Sequence, residues 1–242
     1  VKTVADWIIA QRTAKKPFKA VLPHSVSNNI GIINFDTDDI KIGSKTYTTA
    51  EFCVYIASII AGTALNESVT GKVISEINSI TESLTPDADV DAGKLILIND
   101  GEQVEIARGV NSLTTVGTNQ TEDMKSIKIV EGMDLIAEDI RTTFKENYIG
   151  RSNSIENKEL FIAAVNQYFE TLTKEGVLYD GYDHYAEIDI EAQREYLASK
   201  SVDVTDMSDV AIKQANTGTF MFMAAHIQMQ NAAEDLKFVV NM

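Results

Sequence analysis

The sequence predicts a mixed α/β protein of the α+β kind, in which strands are flanked by helices. Three features of its patterning lead there. Short apolar runs punctuated by Gly and Pro read as strands, most clearly GIINFD at residues 31–36. Apolar side chains at three- and four-residue spacing over residues 122–147 and 154–175 predict two long amphipathic helices. At the C-terminus Leu236, Phe238 and Val240 alternate with Lys237, Val239 and Asn241, which predicts a terminal strand arm.

In chain order, residues 3–14 read as a helix with Val4, Trp7, Ile8 and Gln11 on one face. Residues 20–22 form a short strand between Pro17 and Pro23. The run at 31–36 is the apolar strand expected when both faces are covered. A Gly43-Ser44 turn follows, then a buried helix over 50–61 with Thr49 as its N-cap and Gly62 as its stop. Residues 73–80 fit strand and helix equally. Pro86 opens a short helix that Gly93 ends. Residues 95–98 and 104–107 flank Asn99-Asp100-Gly101 as a hairpin.

The second half is helical first. Met124, Ile127, Val130, Met133, Ile136, Ile140, Phe144 and Tyr148 line one continuous helix closed by Gly150. The next helix is capped by Ser154 or Asn157, lined by Leu160, Ala164, Tyr168 and Leu172, and stopped by Gly176. Residues 185–190 read as a strand and 190–200 as a helix. Residues 219–230 read as one long strand, with Met221, Met223, Ala225, Ile227 and Met229 on an apolar face. The change of character divides the chain into a region 1–120 and a helical-plus-strand region 121–242 whose last residues, 231–242, form the arm.

Composition narrows the function. With 21 basic and 36 acidic residues the formal charge is −15, which disfavours nucleic acid and anionic membranes as partners. The mainly apolar run at 52–65 is too short and interrupted to cross a bilayer. One cysteine, Cys53, excludes an internal disulfide and reads as a buried, inert thiol in a reducing compartment. The chain begins at Val1, so a preceding segment is expected to be missing.

Motifs for chemistry are sparse. The DADVDAG stretch at 87–93 lacks the glycine and glutamate positions of a calcium loop. His24, His184 and His226 stand far apart and outside metal-ligand spacing. No phosphate loop, dinucleotide fingerprint or nucleophile elbow is present. Neither catalytic residues, cofactor nor metal is expected. An α/β enzyme or small-molecule binding module is the alternative, and it would need a pocket near His24, Asn34 and Asp36. The terminal strand has two uses. It pairs as a hairpin with the preceding strand, or it augments the sheet of another subunit.

Several stretches, in order over nearly the whole chain, resemble the tail sheath proteins of contractile bacteriophages and of phage-tail-like bacteriocins. They are VADWIIAQRTAKKPFKAVLP at 4–23, GIINF at 31–35, IASIIAGTALNESVTGKV at 56–73 and GKLILINDGEQVEIARGVNSLTT at 93–115. The most specific is MKSIKIVEGMDLIAEDIRTTFKENYIGRSNS at 124–154, where Tyr148, Gly150, Arg151 and Asn153 carry the family signature, with arginine where lysine is common. The final EDLKFVV resembles the family's acidic-then-apolar last strand.

The resemblance implies a structural machine without an active site, and a chain that corresponds to the C-terminal part of a longer protein whose N-terminal region is missing. Its partners would be copies of itself in stacked rings or a helical polymer, an inner tail tube protein, and baseplate components. Contraction would drive the tube through a target envelope. The chain would be assembled in the bacterial cytoplasm and reside in a virion or particle tail. Leu236, Phe238 and Val240 would complete a neighbour's sheet, with the 219–230 strand as the accepting edge. A helix at 155–174 or 190–200 would face the tube. A non-contractile virion or baseplate component using the same arm exchange is the nearest variant.

Overall fold

A computed structural model describes residues 1–240. In chain order the elements are α1 (Lys2–Thr13), β1 (Ala20–Pro23), β2 (Ile32–Phe35), β3 (Asp38–Ile42), β4 (Lys45–Tyr47), α2 (Thr49–Gly62), β5 (Ser79–Thr81) and α3 (Pro86–Asp91). Then come β6 (Lys94–Leu95), β7 (Leu97–Asn99), β8 (Val104–Ile106), α4 (Ile127–Asn147), α5 (Ile155–Lys174), β9 (Tyr185–Ile188), α6 (Ile190–Ser199), α7 (Asp209–Gln214) and β10 (Met223–His226). The chain forms two compact units, Val1–Asp134 with the C-terminal residues from Asn231, and Leu135–Gln230.

In the first unit β1, β2 and β6 make a parallel sheet with β2 in the middle. All four β2 residues are buried, as expected of a mainly apolar central strand, with Asn34 its one polar member. Ile32 packs with Ala5 and Ile8 of α1. Ile33 and Phe35, on the opposite pleat, join Phe52, Cys53 and Ile56 of α2 in the main core. The expected face of α1 is therefore corrected. Ile8 is buried with Ala5, but Val4 and Trp7 stay exposed and Trp7 meets Phe18, ring centroids 5.1 Å apart.

The cap of α2 moves by one residue. The Thr48 side chain accepts from the Glu51 N–H, and the Glu51 carboxylate accepts from the Thr48 N–H at 2.9 Å, a reciprocal capping box. Thr49 is the first helical residue and spends its hydroxyl on the Thr37 carbonyl at 2.8 Å. β3 has no counterpart in the sequence reading, because its charged residues hide a single buried one, Ile40. It is the centre of an antiparallel β4–β3–β5 sheet. The ambiguous 73–80 stretch contributes only the isolated Val73 bridge and the start of β5. The β7–β8 hairpin turns at Asn99-Asp100-Gly101, with Gly101 at φ +102°. Its expected first strand is divided, since Lys94–Leu95 pairs with β2 instead.

The continuous helix expected from residue 122 is broken. Glu122–Lys125 is a separate 3₁₀ turn, and Ser126 is extended before α4 starts. The cause lies in Asn111. Its N–H donates to the Lys125 carbonyl at 2.9 Å and its Nδ2 to the Met124 carbonyl at 2.7 Å. Those carbonyls are taken from any helical ladder. Gly150 does follow α4 in the left-handed region, φ +86°.

In the second unit Ser154 caps α5, accepting from the Asn157 N–H. The buried stripe is Phe161, Val165, Phe169 and Leu172 with the aliphatic stem of Lys158 beside it, not Leu160, Ala164 and Tyr168. Burial lowers the pKa of the Lys158 ammonium. β9 and β10 pair antiparallel as a two-stranded sheet, Met223 opposite Ile188 and His226 opposite Tyr185. The long strand expected over 219–230 thus shrinks to four residues, with one further bridge between Leu178 and Met229. α7 has no counterpart in the sequence pattern; it is a short helix that Ser208 caps.

Just past the C-terminal ends of β1 and β2, His24 Nδ1 meets the Asp36 carboxylate. Lys94 binds Asp36 at 2.7 Å and Asp89 at 2.8 Å. Burial pushes the Asp36 carboxyl up, but hydrogen bonds from Lys94 and His24 outweigh it and hold it below its ordinary value of 3.8.

Two outcomes are expected. Thr48→Ala should cost about 1 kcal/mol of stability through loss of the α2 cap, read as a lower urea midpoint with unchanged slope; an unchanged midpoint contradicts the capping role. Asp36 is depressed on folding, so it stabilises above its unfolded pKa and that stabilisation fades as pH falls through the folded value. Asp36→Asn should therefore be less stable than the parent at neutral pH, with the gap closing on acidification below about pH 4. A gap constant with pH contradicts it.

Candidate assembly interface

The arm presents its apolar side chains to solvent. Leu236, Phe238 and Val240 are 87%, 78% and 68% exposed, and Val239 is exposed as well. Among the described residues no strand pairs with this segment, so the hairpin alternative does not form. Asn241, the last member of the alternation, lies outside the described residues. Several large apolar side chains in a row at the surface are a mark of an interaction segment.

β10 has the complementary deficiency. Among the described residues it pairs with β9 alone, which leaves its other backbone edge open. The β9 side alternates properly, with Ala186 and Ile188 buried. Along the β10 stretch, however, Met221, Met223, Ile227 and Met229 are only half-buried and Ala225 is exposed. A two-stranded sheet is marginal by itself, and the β10 side of this one has only partial cover on its apolar side chains.

The root of the arm is held firmly. Glu234 Oε1 accepts from the Ser68 hydroxyl at 2.7 Å and the Thr70 hydroxyl at 2.6 Å. Arg108 binds Glu234 through Nη1 at 2.8 Å and Asp235 through Nη2 at 2.7 Å. Hydrogen bonds from Arg108 hold the Asp235 carboxyl below its ordinary value. Asn231 donates to Asp123 at 3.0 Å. Gly109 permits the close approach, since a Cβ there would lie 2.8 Å from Val69 Cγ2. Sequence reading missed Arg108, Ser68 and Thr70. The acidic pair ahead of the arm was the visible half of the cluster, and its partners are more than a hundred residues away in sequence.

The signature residues gather at the α4–α5 turn. Tyr148 stands edge-on to Phe161, centroids 4.9 Å apart, with the Arg151 guanidinium 5.6 Å above its ring. Gly150 supplies the left-handed turn. Asn153 Nδ2 reaches the Thr217 hydroxyl at 3.1 Å and the carbonyls of Gly218 and Phe220 at 2.8 and 3.0 Å. It ties the turn to the chain just before β10.

The residues weighed for an enzyme are engaged otherwise. Buried Asn34 accepts from the Ser25 N–H at 2.6 Å. His24 and Asp36 belong to the ion-pair joint described above. His184 bonds the Tyr179 carbonyl, and His226 stacks on Tyr185 and meets Glu187. A cleft of about 670 Å³ lies elsewhere in the first unit, beside α3, with Asp87, Asp91, Arg108 and Lys125 among its walls. Burial pushes the Cys53 thiol up to about 11, which suits the inert reading. Among the described residues no helix is long and apolar enough to cross a membrane.

Comparison with known proteins gives this geometry its context. Residues 119–242 match the family model for the phage tail sheath C-terminal domain. A tail sheath protein of Clostridium phage phiCD119 is 37% identical over 243 residues, covering 99% of this chain and 67% of that protein. The fold is shared with a sheath tail protein from Desulfitobacterium hafniense, TM-score 0.67 at 18% identity, over 78% of this chain and 46% of that one. It is shared also with the contracted helical sheath of the anti-feeding prophage, TM-score 0.68 at 10% identity, over 98% of this chain and 65% of that one. The chain thus spans about half to two thirds of the length of the sheath proteins it matches. The chain belongs to the phage tail sheath family, as a structural sheath protein whose residues 119–242 are the family's C-terminal domain.

Proposed function

We propose that this chain polymerises with copies of itself by lending the arm at Leu236, Phe238 and Val240 to the open edge of β10 on a neighbour. The observation that carries this reading is the pairing of two deficiencies: an exposed apolar strand segment and an unpaired strand edge with half-buried apolar side chains. Each chain has one of each, which permits head-to-tail exchange, closing into rings or continuing as an open polymer according to the rotation between neighbours.

The energetics suit a tether better than a glue. Full burial of one Leu, one Phe and one Val is worth roughly 5–9 kcal/mol. Ordering five backbone residues costs about 5–10 kcal/mol. A single arm therefore sits near balance, and its hold comes from ladder hydrogen bonds and from repetition around a polymer. Such links persist while broader interfaces between subunits exchange partners. On this reading the polymer surrounds an inner tail tube protein, docks on baseplate components, and contracts to drive the tube through a target envelope. The chain works without catalysis, is assembled in the bacterial cytoplasm and ends in the tail of the particle. Tyr148, Gly150, Arg151 and Asn153 serve it indirectly, by positioning the β10 edge.

Negative-stain microscopy of the full-length protein co-expressed with its tube protein tests the reading. Sleeves or ring stacks are expected from the parent. They should be lost when residues 236–242 are removed and strongly reduced by Phe238→Asp. Normal sleeves from both variants would show that the arm does not link the subunits.

A further inference from the structure

We infer that Arg108, Ser68 and Thr70 form a clamp on Glu234 and Asp235 that fixes where the arm leaves its own domain, so that the free arm starts at Leu236. The inference rests on the arm-exchange reading for its purpose, but its geometry stands independently.

The cluster has the properties of a clamp. Glu234 collects three charge-assisted or hydroxyl hydrogen bonds, and its side chain is 18% exposed. Asp235 accepts from the other guanidinium nitrogen, Nη2, at 2.7 Å and from Nη1 at 3.2 Å. The contrast along the chain is abrupt: Glu234 is held on both oxygens, whereas Leu236 two residues later is almost fully exposed. The ground under the clamp is rigid. Val69, between the two hydroxyl residues, is part of the main core. Gly71 N–H donates to the Ile106 carbonyl at 2.8 Å, and Ile106 N–H to the Lys72 carbonyl at 3.1 Å, which binds the Ser68–Thr70 turn to β8. Thr70 Oγ1 also accepts from the Gly109 N–H at 2.8 Å, fixing the residue next to Arg108. Force applied to the arm is thus delivered to a hydrogen-bonded corner of the core instead of to a flexible linker.

The clamp sets length. Were Glu234 and Asp235 released, the tether would gain the residues from Ala232 to Asp235, four in all and about 14 Å when extended, with Asn231 still held by Asp123. A neighbour's edge could then be reached from many positions, and the spacing between linked subunits would no longer be defined. Arg108, Ser68 and Thr70 are positioning residues for the exchange, since none of them belongs to the arm.

Spin labels on single cysteines test the clamp in the full-length subunit before assembly. Cys53 is buried and remains unlabelled. A label at Ala233→Cys should be immobile and one at Phe238→Cys mobile. In Arg108→Gln, and separately in Glu234→Gln, the label at 233 should become as mobile as that at 238. Both variants should keep the parent's thermal transition for the core, and both should assemble into sleeves less regular in ring spacing than the parent's. A label at 233 that is already mobile in the parent, or that stays immobile in both variants, overturns the clamp. Release of the label with ring spacing unchanged overturns its role in setting length. The failure of arm exchange itself would look different: sleeves would survive removal of residues 236–242 whatever the label at 233 does.

Discussion

The backbone groups along the open edge of β10 need partners, and much else in this chain follows from that need. In a lone subunit water supplies the hydrogen bonds, but water cannot cover Met221, Met223 and Ile227, which remain half-buried. A strand supplies both the hydrogen bonds and the cover. The chain carries a strand-patterned segment at residues 236–240 that, among the described residues, pairs with nothing. An edge of this kind is normally a hazard that proteins blunt with charge or proline. Here it is left open, next to an Asn153 that holds the approach to the strand with three contacts from one amide nitrogen. The edge is kept in shape, which is what a docking site for a specific partner requires.

The other end of the exchange is built on opposite physics. The arm is apolar and free, whereas its root is polar and tied. Glu234 and Asp235 meet one guanidinium and two hydroxyls, a set that fits carboxylates in one geometry. Apolar burial gives adhesion without direction, and charge-assisted hydrogen bonds give direction with little adhesion. Placing them in sequence, within seven residues from Glu234 to Val240, is what the proposed exchange needs: a link whose far end would bind and whose near end would aim. For a polymer that must change its packing without falling apart, the separation of these two tasks is the useful property.

What the sequence made legible were elements whose local signals and tertiary surroundings agree. β2 is apolar except for the hydrogen-bonded Asn34 and is covered on both faces. α3 has its Pro86 and its Gly93, the latter at φ +71°. α5 has Ser154 at its cap. The errors fall where a distant partner decides. Met124 continues the helical spacing of α4, but Asn111 takes the carbonyls of Met124 and Lys125 and breaks the helix. The apolar band of α5 is wide, with Leu160 and Phe161 adjacent, so spacing alone could not choose the buried stripe. The 219–230 stretch keeps one apolar face from Met221 to Met229, yet it can only be as long a strand as its partner, and β9 has four residues. The same holds for the interface. The arm was visible as an alternation, whereas Arg108 could be found only when the fold brought it to Glu234.

The most direct measurement is a reconstruction of the assembled polymer at a resolution that traces the backbone. The account predicts density for residues 236–240 as a strand hydrogen-bonded along the open edge of β10 in an adjacent subunit, leading back to a root still bound to Arg108. A bare β10 edge, or one covered by a segment of its own chain, would contradict the exchange.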